Sequence, residues 1–150
     1  MFSALRTYFD RQGWRYEILE GAHVLRSHFH ADAGDWVTFA HVRDEPRQVV
    51  VYSVADERCP ADRRSAMAEL VTRANFGLVL GNLELDFSDG EVRAKTSLGL
   101  GGSHLDDQSL AELVEGLVEA NLRVFHRYMP GVVAVIAGAS PAAQVAAIDG

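Results

Sequence analysis

Residues 73–98 read RANFGLVLGNLELDFSDGEVRAKTSL and carry the pattern of a β-hairpin. Asp89-Gly90 separates two segments in which apolar and polar residues alternate. An Asp-Gly pair favours the type I′ turn that joins two short antiparallel strands. We therefore predict a hairpin whose turn is Asp89-Gly90, flanked by Ser88 and Glu91.

This turn fixes which residues of the two strands face each other, because a shift in register changes every cross-strand pair. The predicted pairs are Phe87 with Val92, Leu85 with Ala94 and Leu83 with Thr96 on an apolar face, and Asp86 with Arg93 and Glu84 with Lys95 on a charged face. Each such pair contributes roughly 0.2–1 kcal/mol. The charges are interpreted as residues that specify the register; a catalytic cluster made of the same charged residues is the functional alternative.

Motifs inside and beyond this hairpin resemble a known family. They are Asn75-Phe76-Gly77, Gly81-Asn82, Glu84-Leu85-Asp86, Asp89-Gly90-Glu91-Val92-Arg93 and Tyr128-Met129-Pro130-Gly131. In this order, and over about Trp14 to Ile136, the chain resembles the bacterial YbjN-domain family of sensory-transduction regulators. The resemblance implies a fold similar to that of the type III secretion (Tir-type) chaperones, which are small dimeric α+β proteins. The family has no established catalytic residues, so the resemblance implies none here.

Length and composition limit the possible functions. A chain of 150 residues with 48% hydrophobic and 23% charged residues is expected to form one domain with its own core. The net charge of −7, with Lys95 as the single lysine, argues against binding to nucleic acid or to an anionic membrane, because phosphate contacts need clustered cations.

Three features favour a cytoplasmic protein. Cys59 is the single cysteine, so no disulfide can form within the chain. The first thirteen residues, MFSALRTYFDRQG, have the charges of an amphipathic helix rather than the apolar centre of a signal peptide. The longest apolar run, Val132 to Ala137, is too short to cross a bilayer.

The hydrophobic periodicity predicts an α+β fold, with one antiparallel sheet packed against helices. The elements before the hairpin are a helix Ser3–Gln12, strands Trp14–Leu19, His23–Phe29, Trp36–Arg43 and Gln48–Ala55 with a turn at 32–35, and a helix Pro60–Ala74. Val49 to Tyr52 are apolar on both faces, so the fourth strand should be the most buried. Asn75-Phe76-Gly77 is expected to end the second helix.

After the hairpin we predict three further helices. Asp106 should cap a long helix, and Pro130 should kink or stop it, since proline removes a backbone donor. Gly131 to Ala137 would then form a short apolar helix. Ser140-Pro141 is expected to begin a last helix, Ala142–Ile148.

Some residues have the chemistry of binding sites. His28, His30 and His41 could bind Zn²⁺ or Ni²⁺ if they converged, although histidines exposed on the outer sheet face are the simpler interpretation. The loop 99–102 resembles a phosphate-binding loop, but two carboxylates follow it. Cys59 could be activated at a helix N-terminus, or be inert. We expect no cofactor and no catalytic residues.

Two groups of residues are predicted to contact other molecules. Trp36, Phe39, Tyr52 and Asn121 could line a pocket between sheet and helices. Asn121, a polar residue on an apolar helix stripe, could instead satisfy a buried backbone group. Val132, Val133, Val135 and Ile136 form either core or a partner surface, and we expect them to contribute to a homodimer interface.

These features favour a non-enzymatic interaction module, regulatory or chaperone-like, that binds a protein client or regulatory partner. The alternative is a small-ligand sensor with its pocket between sheet and helices. An enzyme is the third hypothesis, and it would need a concave site with strongly perturbed titratable groups.

Overall fold

The computed structural model describes residues 1–32 and 34–150, so the predicted turn at 32–35 includes one residue, Ala33, that lies outside the described residues. The helices are α1 (Phe2–Arg11), α2 (Arg64–Gly77), α3 (Asp107–Ile136) and α4 (Pro141–Asp149). The strands are β1 (Glu17–Ile18), β2 (Val24–Ala31), β3 (Gly34–Arg43), β4 (Gln48–Ala55), β5 (Asn82–Leu85) and β6 (Val92–Gly99).

The six strands form one sheet in the order β1-β2-β3-β4-β6-β5, and every neighbouring pair is antiparallel. The fold is therefore α+β, as predicted. Strands β2 to β4 follow one another as a meander. The chain then passes through α2 and returns as the β5–β6 hairpin, with β6 beside β4. Strand β4, predicted to be the most buried, lies inside the sheet with five of its eight residues buried.

One face of the sheet, which we call the inner face, packs against the helices. Leu25, Ala40, Val49 and Val51 join α1 and the first half of α3 in one cluster of buried residues. Toward the other end of α3, strand residues of β3 to β6 pack against α2 and α3 in a second cluster. Helix α3 therefore crosses the sheet and links the two parts of the core. The alternate strand positions point to the opposite, outer face.

The β5–β6 hairpin has the predicted faces but a different register and turn. Leu85 lies opposite Val92, which moves every predicted pair by two residues and keeps each side chain on its face. Asp86 does not face Arg93; its backbone N–H donates to the carbonyl oxygen of Glu91 at 2.9 Å, and its carboxylate accepts hydrogen bonds from the backbone N–H and hydroxyl of Ser88. Gly90 alone has a positive φ in the loop, 82°, so the predicted type I′ turn is wrong.

Three predicted element boundaries are also wrong. Helix α2 does not end before Asn75-Phe76-Gly77 but includes it. Helix α3 continues through Pro130 to Ile136 as one helix of 30 residues, because core packing on both sides of the proline outweighs the loss of one backbone hydrogen bond. The first strand shrinks to Glu17–Ile18, since Trp14 packs edge-to-face against Phe9, with ring centroids 5.2 Å apart.

The N-cap at Asp106 is confirmed, since its carboxylate accepts a hydrogen bond from the backbone N–H of Ser109 at 2.8 Å. Pro141 begins α4, as predicted, but the helix extends to Asp149. Within residues 1–32 and 34–150, no helix combines the length and the apolar character that crossing a bilayer requires.

Candidate functional site

The structure separates the four residues that were predicted to line a pocket between sheet and helices. Trp36 and Asn121 are buried in the helix-facing core, with 5% and 0% of their surface exposed. Phe39 and Tyr52 lie opposite each other on β3 and β4 and point to the outer face. The four side chains therefore share no cavity, because adjacent positions along a strand point to opposite faces.

Asn121 is held in a buried chain of hydrogen bonds. Its side-chain oxygen accepts a hydrogen bond from the Ser53 hydroxyl at 2.7 Å, and Ser53 contacts the Thr38 hydroxyl at 2.8 Å. Its amide nitrogen donates to the backbone oxygens of Val51 at 2.9 Å and Ala94 at 3.3 Å. Asn121 thus joins α3 to β4 and β6, which matches the interpretation of a polar residue that satisfies buried backbone groups.

The three histidines do not converge. His28 and His41 lie on the outer face of neighbouring strands, but His41 faces Val24, four residues along β2 from His28. At the rise of a β-strand, four residues place His41 about 13 Å from His28 along the strand direction. His30 instead contacts Asp35, with 3.0 Å between ring nitrogen and carboxylate oxygen. Within residues 1–32 and 34–150, no group of three His, Cys, Asp or Glu side chains could hold a metal ion.

Cys59 is completely buried, and burial raises the pKa of its thiol although Arg64 and Arg63 lie close enough to oppose the shift. A raised pKa disfavours the thiolate, so the structure does not provide the activated cysteine that was considered. The backbone of Cys59 packs against the hairpin loop: its N–H donates to the carbonyl oxygen of Gly90 at 2.8 Å.

The valine-rich end of α3 contributes mainly to the core. Val132 and Val135 have none of their surface exposed, so they are not free to contact a partner. Val133 is 36% exposed and Ile136 is partly buried, and both line a cavity of about 230 Å³ beside Asp35 and the end of β4. The periodicity of the helix explains this split, since residues 132 and 135 share its buried side.

The charged residues of the hairpin pair with one another on the outer face. Glu84 accepts a hydrogen bond from Arg93 at 2.7 Å and a second one from Lys95. Burial opposes ionisation of Glu84, but the hydrogen bonds from Lys95 and Arg93 outweigh it, so the pKa of Glu84 is lower than its ordinary value. Of the two predicted ion pairs, Asp86–Arg93 and Glu84–Lys95, the second forms. Its two residues are diagonal neighbours, because Glu84 lies directly opposite Arg93.

Two tyrosines have raised pKa values for structural reasons. Burial and the nearby Glu119 raise the pKa of Tyr8 to about 12. Burial and a hydrogen bond to Asp149 raise the pKa of Tyr128 to about 12 as well. The Tyr8 and Tyr128 contacts hold α1 and α4 against α3, so their perturbed pKa values report helix packing.

A shallow depression on the outer face, which we call the outer basin, encloses about 400 Å³. Its floor consists of Val37, Phe39, Tyr52 and Val54, and its rim carries Asp56, Arg58, Glu91 and Arg93. The Arg93 guanidinium lies 4.5 Å from the centre of the Tyr52 ring. The rim cations are already engaged, because Arg58 pairs with Glu91 at 2.7 Å and Arg93 with Glu84.

The most exposed apolar side chains lie where α2 passes into β5. Phe76 is 95% exposed, Val79 94% and Leu80 66%; we call these three residues the apolar projection. Scattered apolar residues are normal on a surface, but a cluster of large ones usually marks an interaction site.

Two contacts hold the projection in place. The side chain of Asn75 accepts a hydrogen bond from the backbone N–H of Leu83 at 2.8 Å and donates to its carbonyl oxygen at 2.9 Å, as a neighbouring strand would. Gly81 has a φ of 78°, and a Cβ there would lie 2.8 Å from the Thr96 methyl carbon. The segment between Asn75 and Gly81 is therefore tied to β5 at Asn75 and approaches β6 closely at Gly81. Leu78 packs against the core, whereas Phe76, Val79 and Leu80 are exposed.

Beside the projection lies a cavity of about 330 Å³, which we call the apolar groove. Its walls are Leu80 and Gly81 of the loop, Thr96–Leu98 of β6, and Glu112, Leu113, Gly116, Leu117 and Ala120 of α3. A Cβ added to Gly116 would meet no atom within 4 Å, so this glycine leaves the groove open. Leu113, on the α3 wall, is 42% exposed.

Neither the apolar projection nor the apolar groove was predicted from the sequence. Asn75-Phe76-Gly77 was interpreted as a helix end, which hid the fact that Phe76 lies on the exposed side of α2. One signal was available: Leu78, Val79 and Leu80 form a run of large apolar residues between glycines, which neither the helix nor the strand period accounts for.

Comparison with known proteins agrees with the fold. A profile of the YbjN family, described as "Putative bacterial sensory transduction regulator", matches residues 2–128. The crystal structure of YbjN from E. coli, described as a putative transcription regulator, is similar with a TM-score of 0.59 and 16% identity, covering 85% of this chain and 90% of that one.

A structure of an uncharacterized protein from Methanothermobacter thermautotrophicus is less similar, with a TM-score of 0.45 and 12% identity over 82% of this chain and 92% of that one. A search of curated proteins returns no match. The family profile covers most of the chain, and the E. coli structure shares its fold. This chain therefore belongs to the YbjN family.

Proposed function

We propose that this chain is a non-enzymatic, regulatory protein-interaction module, and that it binds protein through the apolar projection and the apolar groove. The observation that carries the proposal is the exposure of Phe76 and Val79, at 95% and 94%, beside an open apolar groove. Water contact with such side chains is unfavourable, at about 25 cal/mol for each Å² of apolar surface, and a bound protein would relieve it. The family description, that of a sensory transduction regulator, is consistent with this role.

The titratable groups support a non-enzymatic role. The groups whose pKa values are most strongly raised, Tyr8 and Tyr128, hold helices together rather than face a concave site. The pKa of Glu84 is lowered by Lys95 and Arg93, its partners in the hairpin. We propose that this role is regulatory or chaperone-like binding in the cytoplasm. The chain would form a homodimer and bind a protein client or regulatory partner. The net charge of −7 supports protein rather than nucleic acid or an anionic membrane as the partner.

The test is a capture experiment in cells that express both tagged and untagged copies of the chain. Wild type and Val79→Asp are captured through the tag, and the retained polypeptides, including untagged copies, are identified by mass spectrometry. Phe87→Asp is the matched control, because Phe87 is an exposed apolar residue, 57% accessible, at the other end of β5. We expect the retained protein to be lost with Val79→Asp and kept with Phe87→Asp. Identical retention by all three chains would contradict the proposal.

The outer basin supports a second candidate, a small-ligand sensor. It differs from the predicted pocket, since it uses Phe39 and Tyr52 on the outer face without Trp36 or Asn121. A ligand with a flat apolar body could lie on the Phe39 and Tyr52 side chains. Thermal-shift screening of metabolites against wild type and Tyr52→Ala tests this candidate: a compound that raises the midpoint of wild type alone supports it, and the absence of any such compound counts against it.

A further inference from the structure

We propose that the occupant of the apolar groove is the apolar projection of a second copy of this chain, and that the exchange is reciprocal. This inference rests on the proposed function, because it names the protein that the surface binds. Its basis is that both halves of the contact, projecting side chains and an open cavity, are present on one chain.

The position of the two halves fits two-fold symmetry. In a symmetric dimer each chain contributes the same patch, so a projection on one chain meets the groove of the other twice. Leu80 belongs to both the projection and the groove wall. A residue shared by both halves of such a patch lies close to the symmetry axis and faces its own counterpart. The geometry therefore predicts that the two Leu80 side chains approach each other.

The exposed apolar area is sufficient for a modest interface. At the fractions found for Phe76, Val79 and Leu80, three large side chains present roughly 400 Å². Leu113, 42% exposed, and the remaining groove walls bring the patch to roughly 500 Å² for each chain. Two such patches bury about 1,000 Å² in total, the size of a weak, reversible protein interface.

The charge distribution also favours this site for self-association. Each copy carries a net charge of −7, so two copies repel each other over most of their surfaces. The groove contains one charged residue, Glu112, whose carboxylate already accepts a hydrogen bond from Gln108 at 3.0 Å. Contact here brings few charges together, as is usual at the centre of an interface. Because salt screens the remaining repulsion, we expect the dimer to tighten as salt concentration rises.

Sedimentation equilibrium over a wide concentration range tests the inference. Wild type should be in monomer–dimer equilibrium, and Val79→Asp should weaken association by at least about 100-fold, because it would bury an unpaired carboxylate twice in each dimer. Because Val79 is 94% exposed, Val79→Asp should have the thermal midpoint of wild type when both are measured at concentrations where wild type is monomeric. Phe87→Asp should dimerise as wild type does. A wild type that stays monomeric, or a Val79→Asp chain that still dimerises, overturns the inference.

A second variant acts from the groove side. Gly116→Leu fills open space without touching a neighbour within 4 Å at its Cβ, and it replaces a poor helix former inside α3. It should raise the thermal midpoint of the monomer and weaken association tenfold or more. A purely structural role for Gly116 would move only the midpoint, so unchanged association would contradict the inference.

Cross-linking then locates the symmetry axis. Leu80→Cys should form a disulfide-linked dimer under a mild oxidant such as oxidised glutathione, because a disulfide needs Cα atoms within about 7 Å. Cys59 is buried and should not react. Absence of the linked dimer while association persists overturns the reciprocal geometry. If wild type is monomeric but still retains another protein in a way that depends on Val79, the second copy is not the occupant and the proposed function stands. If wild type is monomeric and retains no protein, both the inference and the proposed function are overturned.

Discussion

Replacing Asn121 with leucine should destabilise the fold without altering its surface. The side chain is completely buried and makes three hydrogen bonds, from Ser53 and to Val51 and Ala94, at 2.7, 2.9 and 3.3 Å. Each of the three groups that loses Asn121 as its partner costs about 1–3 kcal/mol when it is left unsatisfied. Leucine has a similar volume and returns part of this through apolar burial, so we expect a net loss of about 2–4 kcal/mol in the free energy of unfolding.

Urea denaturation followed by circular dichroism measures this loss. The midpoint should fall while the slope with denaturant stays that of wild type, since the same surface is exposed on unfolding. Thermal unfolding should show a midpoint lower by roughly 4–16 °C, at about 2–4 °C for each kcal/mol in a chain of this size.

A double-mutant cycle identifies the cause. In a Ser53→Ala background the hydroxyl that donates to Asn121 is absent, so Asn121→Leu should cost about 1 kcal/mol less there. Gln108→Leu, on the exposed surface of the same helix, is the control and should change stability by less than about 0.5 kcal/mol. If Asn121→Leu costs less than about 1 kcal/mol, the reasoning about the buried network is refuted.

Three further outcomes are expected. Gly90→Ala should reduce the free energy of unfolding by more than about 2 kcal/mol in denaturant titrations, because Gly90 has a φ of 82° and a Cβ would lie 2.0 Å from the Cys59 carbonyl oxygen; an unchanged midpoint would refute this. Tyr128→Phe removes the hydrogen bond to Asp149, so amide exchange in α4 should accelerate. Because the pKa of Tyr128 is raised from 10.0 to about 12, the phenol's contribution to the free energy of unfolding is complete below pH 10 and is lost between pH 10 and about pH 12. The variant should not show this loss. Glu84 has a lowered pKa, so its contribution is present above the ordinary value of 4.5 and is lost as the pH falls through the folded-state value; Glu84→Gln should flatten the acid limb of a stability–pH curve, and a parallel limb would contradict the assignment.

The sequence predicted the side-chain faces of the sheet better than its register. Alternation alone placed Leu83, Leu85 and Val92 on the inner face, and the structure agrees. Alternation cannot determine loop length, because a shift of two residues preserves every face. The loop length depends on local hydrogen bonds, such as that from the Ser88 backbone N–H to the Asp86 carboxylate, which close the loop after the last strand pair.

Tertiary packing decided the remaining differences. Pro130 was expected to kink or stop α3, but residues on both sides of it, including Phe125 and Val132, are buried against the sheet and α2. That packing outweighs the local cost of a proline inside a helix. For the same reason Val132 and Val135, for which core and partner surface were both considered, belong to the core.

The candidate surface was missed because the local signal at Phe76 favoured a helix end. In the structure α2 continues through that residue, and the exposed Val79 and Leu80 lie between Asn75, which bonds to Leu83, and Gly81, which approaches β6 closely. Such placement depends on a hydrogen bond between residues eight apart in sequence and on a close contact with β6. A periodic pattern contains neither.

Carbene footprinting in native extract tests most directly whether the apolar projection is covered. In the isolated chain Phe76 and Val79 are 95% and 94% exposed, compared with 57% for Phe87. If the projection binds protein, labelling of Phe76 and Val79 should be lower than that of Phe87 in the extract. In a dilute solution of the purified chain it should be higher than that of Phe87. Labelling of Phe76 and Val79 above Phe87 under both conditions would show that the surface stays uncovered, and would contradict the account.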